Sequence, residues 1–282
     1  MHRLLWIIFL AMPATALAQG DCFPAKDSHE AQAFGILAVP LAFGPAAAPS
    51  RVAPGTLRIG FDVSYMPNID DSTATPTVCR PGKGPENVNI LSILPRPRAS
   101  IGLPGGFVLE ASWIPPVKVH GAKPNVWGFA LGKAFELGNR GMVLGLRLHA
   151  TTGVVHAPIV CNDDALQDPT SECFGGTRSN DEYHPNTFGA DASIGWSLGG
   201  GRFQPFLGAG YNLLHPRFRV NFTNQFDQTD RRRVEVDLNR AVLFAGATWF
   251  PVARLGLTGQ IYSAPTDAVT GRISLSYLIG GL

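Results

Sequence analysis

The sequence predicts an all-β chain: a transmembrane, antiparallel, up-and-down β-barrel of about ten strands, with a short N-terminal helical or plug segment. Three observations predict it. Ten stretches alternate apolar and polar residues with period two, the period of a strand. Every second connection between them is a tight turn bearing Gly or Pro, and the others are longer and polar. Beyond the N-terminus no run approaches 18 uninterrupted apolar residues, so no helix is expected to cross a bilayer. Yet only 16% of residues are charged, against about 25% in soluble domains.

Residues 1–18, MHRLLWIIFLAMPATALA, have a basic start at Arg3, an apolar stretch from Leu4 to Met12 and a small-residue exit at Ala16-Leu17-Ala18. That pattern is a secretory signal peptide with cleavage before Gln19. Residues 19–55 read as an N-terminal periplasmic or plug segment and 56–282 as the barrel. The net charge of +2 gives no reason to expect a nucleic-acid partner. Four cysteines in an exported chain predict disulfides rather than a metal site. Cys161 and Cys173 flank a polar loop, NDDALQDPTSE, whose closure contributes about 3 kcal/mol. No CxxC occurs, and His156 and His184 lack ligand spacing, so no metal or cofactor is expected.

The first strand, TLRIGFDVSY (56–65), alternates without a fault. Leu57, Ile59, Phe61, Val63 and Tyr65 oppose Arg58, Asp62 and Ser64. In a closed barrel the oily face meets lipid and the charged face meets an enclosed lumen. The pattern recurs in RASIGL (98–103), FVLEASW (107–113), VWGFALGKAFEL (126–137), MVLGLRLHA (142–150), TFGADASIGWSL (187–198), RFQPFLGAGYNL (202–213), RLGLTGQIY (254–262) and RISLSYLI (272–279). Lys133 falls on the oily face. In the run from Arg233 to Phe250, Glu235 and Asp237 oppose Val234, Val236 and Leu238, and the faces become mixed after Arg240.

The connections run long (67–97), short (104–106), medium (119–125), short (138–141), long (155–186), short (199–201), medium (221–232), short (251–253) and medium (264–270). Outer-membrane barrels have tight periplasmic turns, longer outside loops and an even strand count. This sorting predicts the outer membrane of a Gram-negative cell, both termini on the periplasmic side, and membrane lipid and the barrel assembly machinery as partners. The last strand resembles the terminal strand of bacterial outer-membrane proteins, although the chain ends Gly280-Gly281-Leu282 rather than in an aromatic. Tyr65, Phe107, Trp113, Trp127, Phe188, Tyr211, Phe250 and Tyr277 fall near strand ends, as an interfacial girdle requires.

Alternation turns Arg58, Asp62, Arg98, Glu110, Glu136, Arg147, His149, Asp191, Arg202, Gln204, Glu235, Asp237, Arg254 and Arg272 inward. Mixed signs in so narrow a barrel predict an ion-pair network closing much of the lumen. The same face carries Gly60, Gly102, Gly128, Gly132, Gly145, Gly195, Gly208 and Gly210. Glycine in a strand marks close approach by a ligand or another backbone, so an occupant of the lumen is expected.

DSHEAQAFGILAVPLAFGPAAAPS (27–50) starts like a helix at Ser28 and runs apolar from Ala33 to Phe43, interrupted by Pro40. It is too short to span and too oily for a free tail. Two placements are expected equally: a plug in the barrel mouth, or a periplasmic helix beneath the barrel. As a plug it leaves Cys22 free to pair with Cys79 in the first long loop.

A hydrophobic N-terminal segment leading into a barrel, together with LPGGFVLEASWIPPV (103–117), resembles the fatty-acid and aromatic-hydrocarbon transport porin family of the outer membrane. The resemblance implies passive uptake of a small hydrophobic ligand through a narrow channel. A non-transporting structural or surface-binding barrel is the alternative. A hydrolase ranks third. Asp70-Asp71 and Asp181…His184 resemble the acidic pair and Asp/His pair of ten-stranded omptin-type proteases, but the spacing does not match and no GxSxG occurs. No catalytic residue is assigned. Arg231-Arg232-Arg233 is read as a solvated loop tip, with phosphate binding as the lesser reading.

Overall fold

A computed structural model describes residues 20–138 and 141–280. The expected signal peptide, turn residues 139–140 and the last two residues lie outside that range. Ten strands form the wall: β1 (Leu57–Tyr65), β2 (Ile93–Gly102), β3 (Phe107–Ile114), β4 (Lys123–Leu137), β5 (Met142–Ala157), β6 (Asp181–Trp196), β7 (Phe203–Arg219), β8 (Leu238–Val252), β9 (Leu255–Ala264) and β10 (Ala268–Ile279). Each pairs antiparallel with its sequence neighbour. The first and last strands pair from Leu57↔Ile279 to Ser64↔Arg272 and close the barrel, which removes the exposed sheet edges. Among the described residues, one helix, α1 (His29–Leu41), precedes the wall.

Strands β4 to β7 run 15 to 17 residues rather than about ten. The long loop expected at 67–97 gives up its last residues to β2. Pro95 and Pro97 hide that strand, because proline cannot donate to a ladder. They are tolerated here because β2 pairs with β3 only from Arg98 to Gly102, leaving the proline stretch without a partner on that side. The connection expected at 264–270 contracts to three residues, 265–267.

Outward side chains form an apolar belt. Ile59, Phe61, Leu131, Leu148, Phe188, Leu207, Leu243, Ile273 and Leu275 are all exposed. So continuous an exposed apolar surface around a closed barrel is what lipid solvates. Trp113, Trp127 and Phe129 stack along this surface. The Lys133 ammonium lies 4.5 Å from the Phe107 ring and 5.4 Å from the Phe135 ring. Cation–π contact with these rings accounts for a lysine on the oily face. Phe250 departs from the expected girdle: it is half-buried and lines the lower mouth.

The mixed pattern of β8 also resolves. Val242 and Phe244 point inward and are buried with Phe206 and Tyr262, while Leu243 and Trp249 face out. Both faces of β8 are apolar there because the lumen beside it holds an apolar occupant. An arginine at Leu148, exposed midway along β5, should test the belt. Leu148→Arg is expected to cost about 2–4 kcal/mol of folding into lipid, read from urea-dependent refolding into vesicles.

Candidate functional site: the plugged lumen

The occupant is the chain's own N-terminal segment. Helix α1 is apolar all round, with Ala31, Phe34, Ile36, Val39 and Leu41 buried. Such a helix is stable only when surrounded. It packs inside the long-loop half of the barrel, where Phe34 meets the rings of Tyr183 and Phe218 at 5.7 and 6.2 Å. Ser28 caps it, accepting from the Ala31 amide. Glu30 accepts from the amides of Thr77, Val78 and Cys79, fastening the helix to the first long loop. Ala42 to Pro49 then runs down the lumen. At the short-turn end the Gly55 amide donates to the Gly102 carbonyl before β1 begins.

The inward glycines make room for this descent. A Cβ on Gly128 would stand 2.8 Å from Phe43, and one on Gly145 or Gly195 would meet Pro49 at 2.7 or 2.9 Å. Cys22 lies at the opposite, long-loop end. It bridges to Val234 and forms a disulfide with Cys79; Cys161 and Cys173 form the second. The start of the described chain is therefore at the long-loop mouth, not on the short-turn side where both termini were expected.

Four wall arginines grip the plug's main chain. Arg96 donates to the carbonyls of Leu41 (2.8 Å) and Ala42 (3.2 Å), and Arg272 to that of Ala42 (3.1 Å). Arg147 donates to the Phe43 carbonyl and Arg98 to that of Gly44 (3.1 Å). The carbonyls at the end of a helix lack intrahelical partners, and a guanidinium supplies five donors. Phe43 is fully buried, with the guanidinium carbons of Arg98, Arg147 and Arg96 at 4.3, 5.0 and 5.9 Å from its ring centre. Behind the arginines runs a chain of ion pairs: Asp62–Arg98 (2.6 Å), Arg98–Glu110 (3.2 Å), Glu110–Arg147 (2.9 Å) and Arg147–Asp191 (2.9 Å). His149 stands 3.5 Å from Asp191.

Asp62, Arg98, Glu110, Arg147, His149, Asp191 and Arg272 thus surround the plug. Arg58 and Gln204 point in at the short-turn mouth, where Gln204 donates to the Gly201 carbonyl. Other inward assignments need correction. Arg254 is exposed in the two-residue turn before β9, and Arg202 is exposed in the turn before β7, because strand parity does not run through a turn. Glu136 is exposed and pairs loosely with Arg51. Glu235 and Asp237 face outward and pair with Arg217 at 3.0 and 2.9 Å. Their neighbours Val234, Val236 and Leu238 turn in, toward the apolar core that contains α1. Arg96 and Tyr262 belong to the inner wall and were missed. Arg96 shares the parity of Arg98, a signal obscured by the flanking prolines.

The hydrolase constellation does not assemble. Asp181 is fully buried, accepting from the amides of Ile159, Val160 and Asn221. His184 is partly exposed and contacts the Gly153 carbonyl. Odd residues at this end of β6 are buried and even ones are not, so the two side chains leave opposite faces of the strand. Arg232 donates to the Cys79 carbonyl, so the arginine triplet is not a free loop tip. Among the described residues no cluster suits a metal ion.

In the long-loop cap Arg80 pairs with Glu86 (2.6 Å) and Glu172, and Lys83 with Glu172 (2.7 Å). Burial pushes the Glu86 carboxyl up to about 7, against the pull of Arg80. The folded cap then holds this proton more tightly than the unfolded chain does. Its stability contribution is present below about pH 4.5, the group's ordinary value, and is lost as pH rises through about 7. Proteolysis of the 67–92 loop should therefore be faster at pH 8 than at pH 5, and Glu86→Gln should flatten that difference. Phe43→Ala should cost about 3–5 kcal/mol in plug packing, seen as faster amide exchange over residues 41–48.

No protein-family model and no curated protein matches this sequence. Solved structures that it resembles include the KdgM porin (9% identity over 79% of this chain and 99% of that one, TM-score 0.32). The toluene transporter TodX of P. putida is another (12% identity, 85% and 70%, TM-score 0.32). A third is Ail, the attachment invasion locus protein of Yersinia pestis (10% identity, 80% and 100%, TM-score 0.30). By its own closed sheet and apolar belt, this chain is an outer-membrane-type β-barrel.

Proposed function

We propose that the protein is a narrow channel of the bacterial outer membrane, shut at rest by its own N-terminal segment, for passive uptake of small apolar molecules. The observation that carries this reading is how the plug is held. Below Leu41 it meets the wall through main-chain hydrogen bonds and a few apolar side chains, those of Ala42, Phe43, Ala48 and Pro49, and water can replace the hydrogen bonds. Above Leu41, beneath the charged cap of Arg80, Lys83, Glu86 and Glu172, the lumen around α1 is apolar. A cavity of about 60 Å³ beside α1 is lined by Leu37, Leu41, Met66, Leu94, Ala122 and Tyr183. Small apolar solutes partition into such an entrance, and charged ones do not.

A non-transporting structural barrel is the second reading, favoured by the number of wall contacts that the plug makes. Deletion of residues 20–50 separates the two. Folding of each variant is first established by its altered migration in unheated SDS. In planar bilayers the intact protein should conduct little and the deletion variant should open a steady pore. Uptake of a small apolar fluorophore into vesicles should rise with it. A deletion variant that folds yet neither conducts nor admits the fluorophore assigns the barrel a structural role. Should the deletion not fold, Phe43→Ala in the full chain replaces it, with brief openings expected instead of a steady pore.

A further inference from the structure

The short-turn mouth opens on a cavity of about 520 Å³, bounded by the plug's exit segment, the turns before β7 and β9, and Leu278. Three arginines line it, Arg51, Arg58 and Arg202, and among the described residues no carboxylate does. The four plug-gripping arginines deeper in the lumen all bond to main-chain carbonyls. Among the described residues the guanidiniums of Arg58 and Arg202 have no hydrogen-bond or ion-pair partner. Arg58 Nε is buried without a partner, and so is the Thr56 hydroxyl, which lines the same cavity. Arg51 reaches Glu136 at 3.7 Å, with both side chains about 60% exposed, a pair worth little. Glu110 attracts Arg58, but it is already bonded to Arg98 and Arg147. The remaining wall is largely apolar, from Val52, Phe250 and Leu278.

We propose that this cavity binds a phosphoryl group carried on an apolar substituent. Orphaned buried donors are costly, and an oxyanion satisfies them. Guanidinium forks match phosphoryl oxygens two at a time. The lining is cationic on one part and apolar on another, and its volume falls within the range of small-molecule sites. A free phosphomonoester and a phospholipid headgroup both present this chemistry.

Calorimetric titration of the refolded full chain in neutral detergent tests the site, with phenyl phosphate as probe and phenol as control. Phenyl phosphate should bind and phenol should not. Arg58→Gln and Arg202→Gln should each weaken binding tenfold or more. Arg202 lies on an exposed turn, so its variant folds even if the Arg58 variant does not. Titration with short-chain phosphatidylglycerol distinguishes the source. Binding of that lipid where phenyl phosphate fails assigns the site to a headgroup. Failure of both probes, or binding that neither substitution weakens, overturns the proposal.

Discussion

Four arginines on the inner wall hold the carbonyls of residues 41 to 44, and the rest of the molecule is organised around that grip. Buried guanidiniums need partners. The wall around them supplies Asp62, Glu110 and Asp191, too few acceptors for Arg96, Arg98, Arg147 and Arg272. The plug brings no charge of its own to this level. It brings main-chain oxygens at a helix C-terminus, the end of the helix dipole that favours cations. Plug and wall are therefore each incomplete without the other.

That dependence divides the lumen into two chemistries. The long-loop half holds α1 and is packed like a protein core, with Phe34, Tyr183, Phe218 and Leu238 in one cluster. The lower half is polar over part of its wall, where carboxylates set the positions of the arginines, and apolar where Phe206 and Phe244 pack with Ala42 and Ala48. Where the lumen is polar, alternation reads oily-out and charged-in. Where it holds α1, inward residues are apolar too, and the simple reading of the faces fails or inverts. Val234, Val236 and Leu238 are the inverted case, and Val242 and Phe244 are the two-sided one.

The legible parts of the sequence were those facing two different media. Strands β1, β5 and β10 lie between lipid and a charged lumen, so their alternation was clean and their inward residues could be named. The inward glycines pointed to something filling the lumen, and Gly102, Gly128, Gly145 and Gly195 are side chains withheld from the plug. They could not say what fills it. An apolar helix reads the same beneath a barrel as inside one, and only long-range contacts, those of Phe34, Phe43 and Pro49 among them, distinguish the two. Arg96 was missed because its flanking prolines argue against a strand, and their tolerance depends on where β3 ends. Arg254 was misplaced because parity was carried one residue past the end of the strand.

The path of the chain constrains how this structure can be reached. Cys22 is fixed at the long-loop mouth and β1 begins at the short-turn mouth, so the segment between them threads the lumen from end to end. Helix α1 has 13 residues, about 20 Å along its axis and about 10–12 Å across with side chains. Drawing it through a finished barrel would take it past the level where Arg98 and Arg147 crowd the Phe43 ring. The seam that closes the barrel joins residues as distant as Ser64 and Arg272, and that contact is made by one of the plug-gripping arginines itself. Arg272 thus couples closure of the wall to occupancy of the lumen. The simplest order consistent with this geometry seats the plug before or with the last strand, which makes the segment part of the barrel's folding rather than a cork added afterwards.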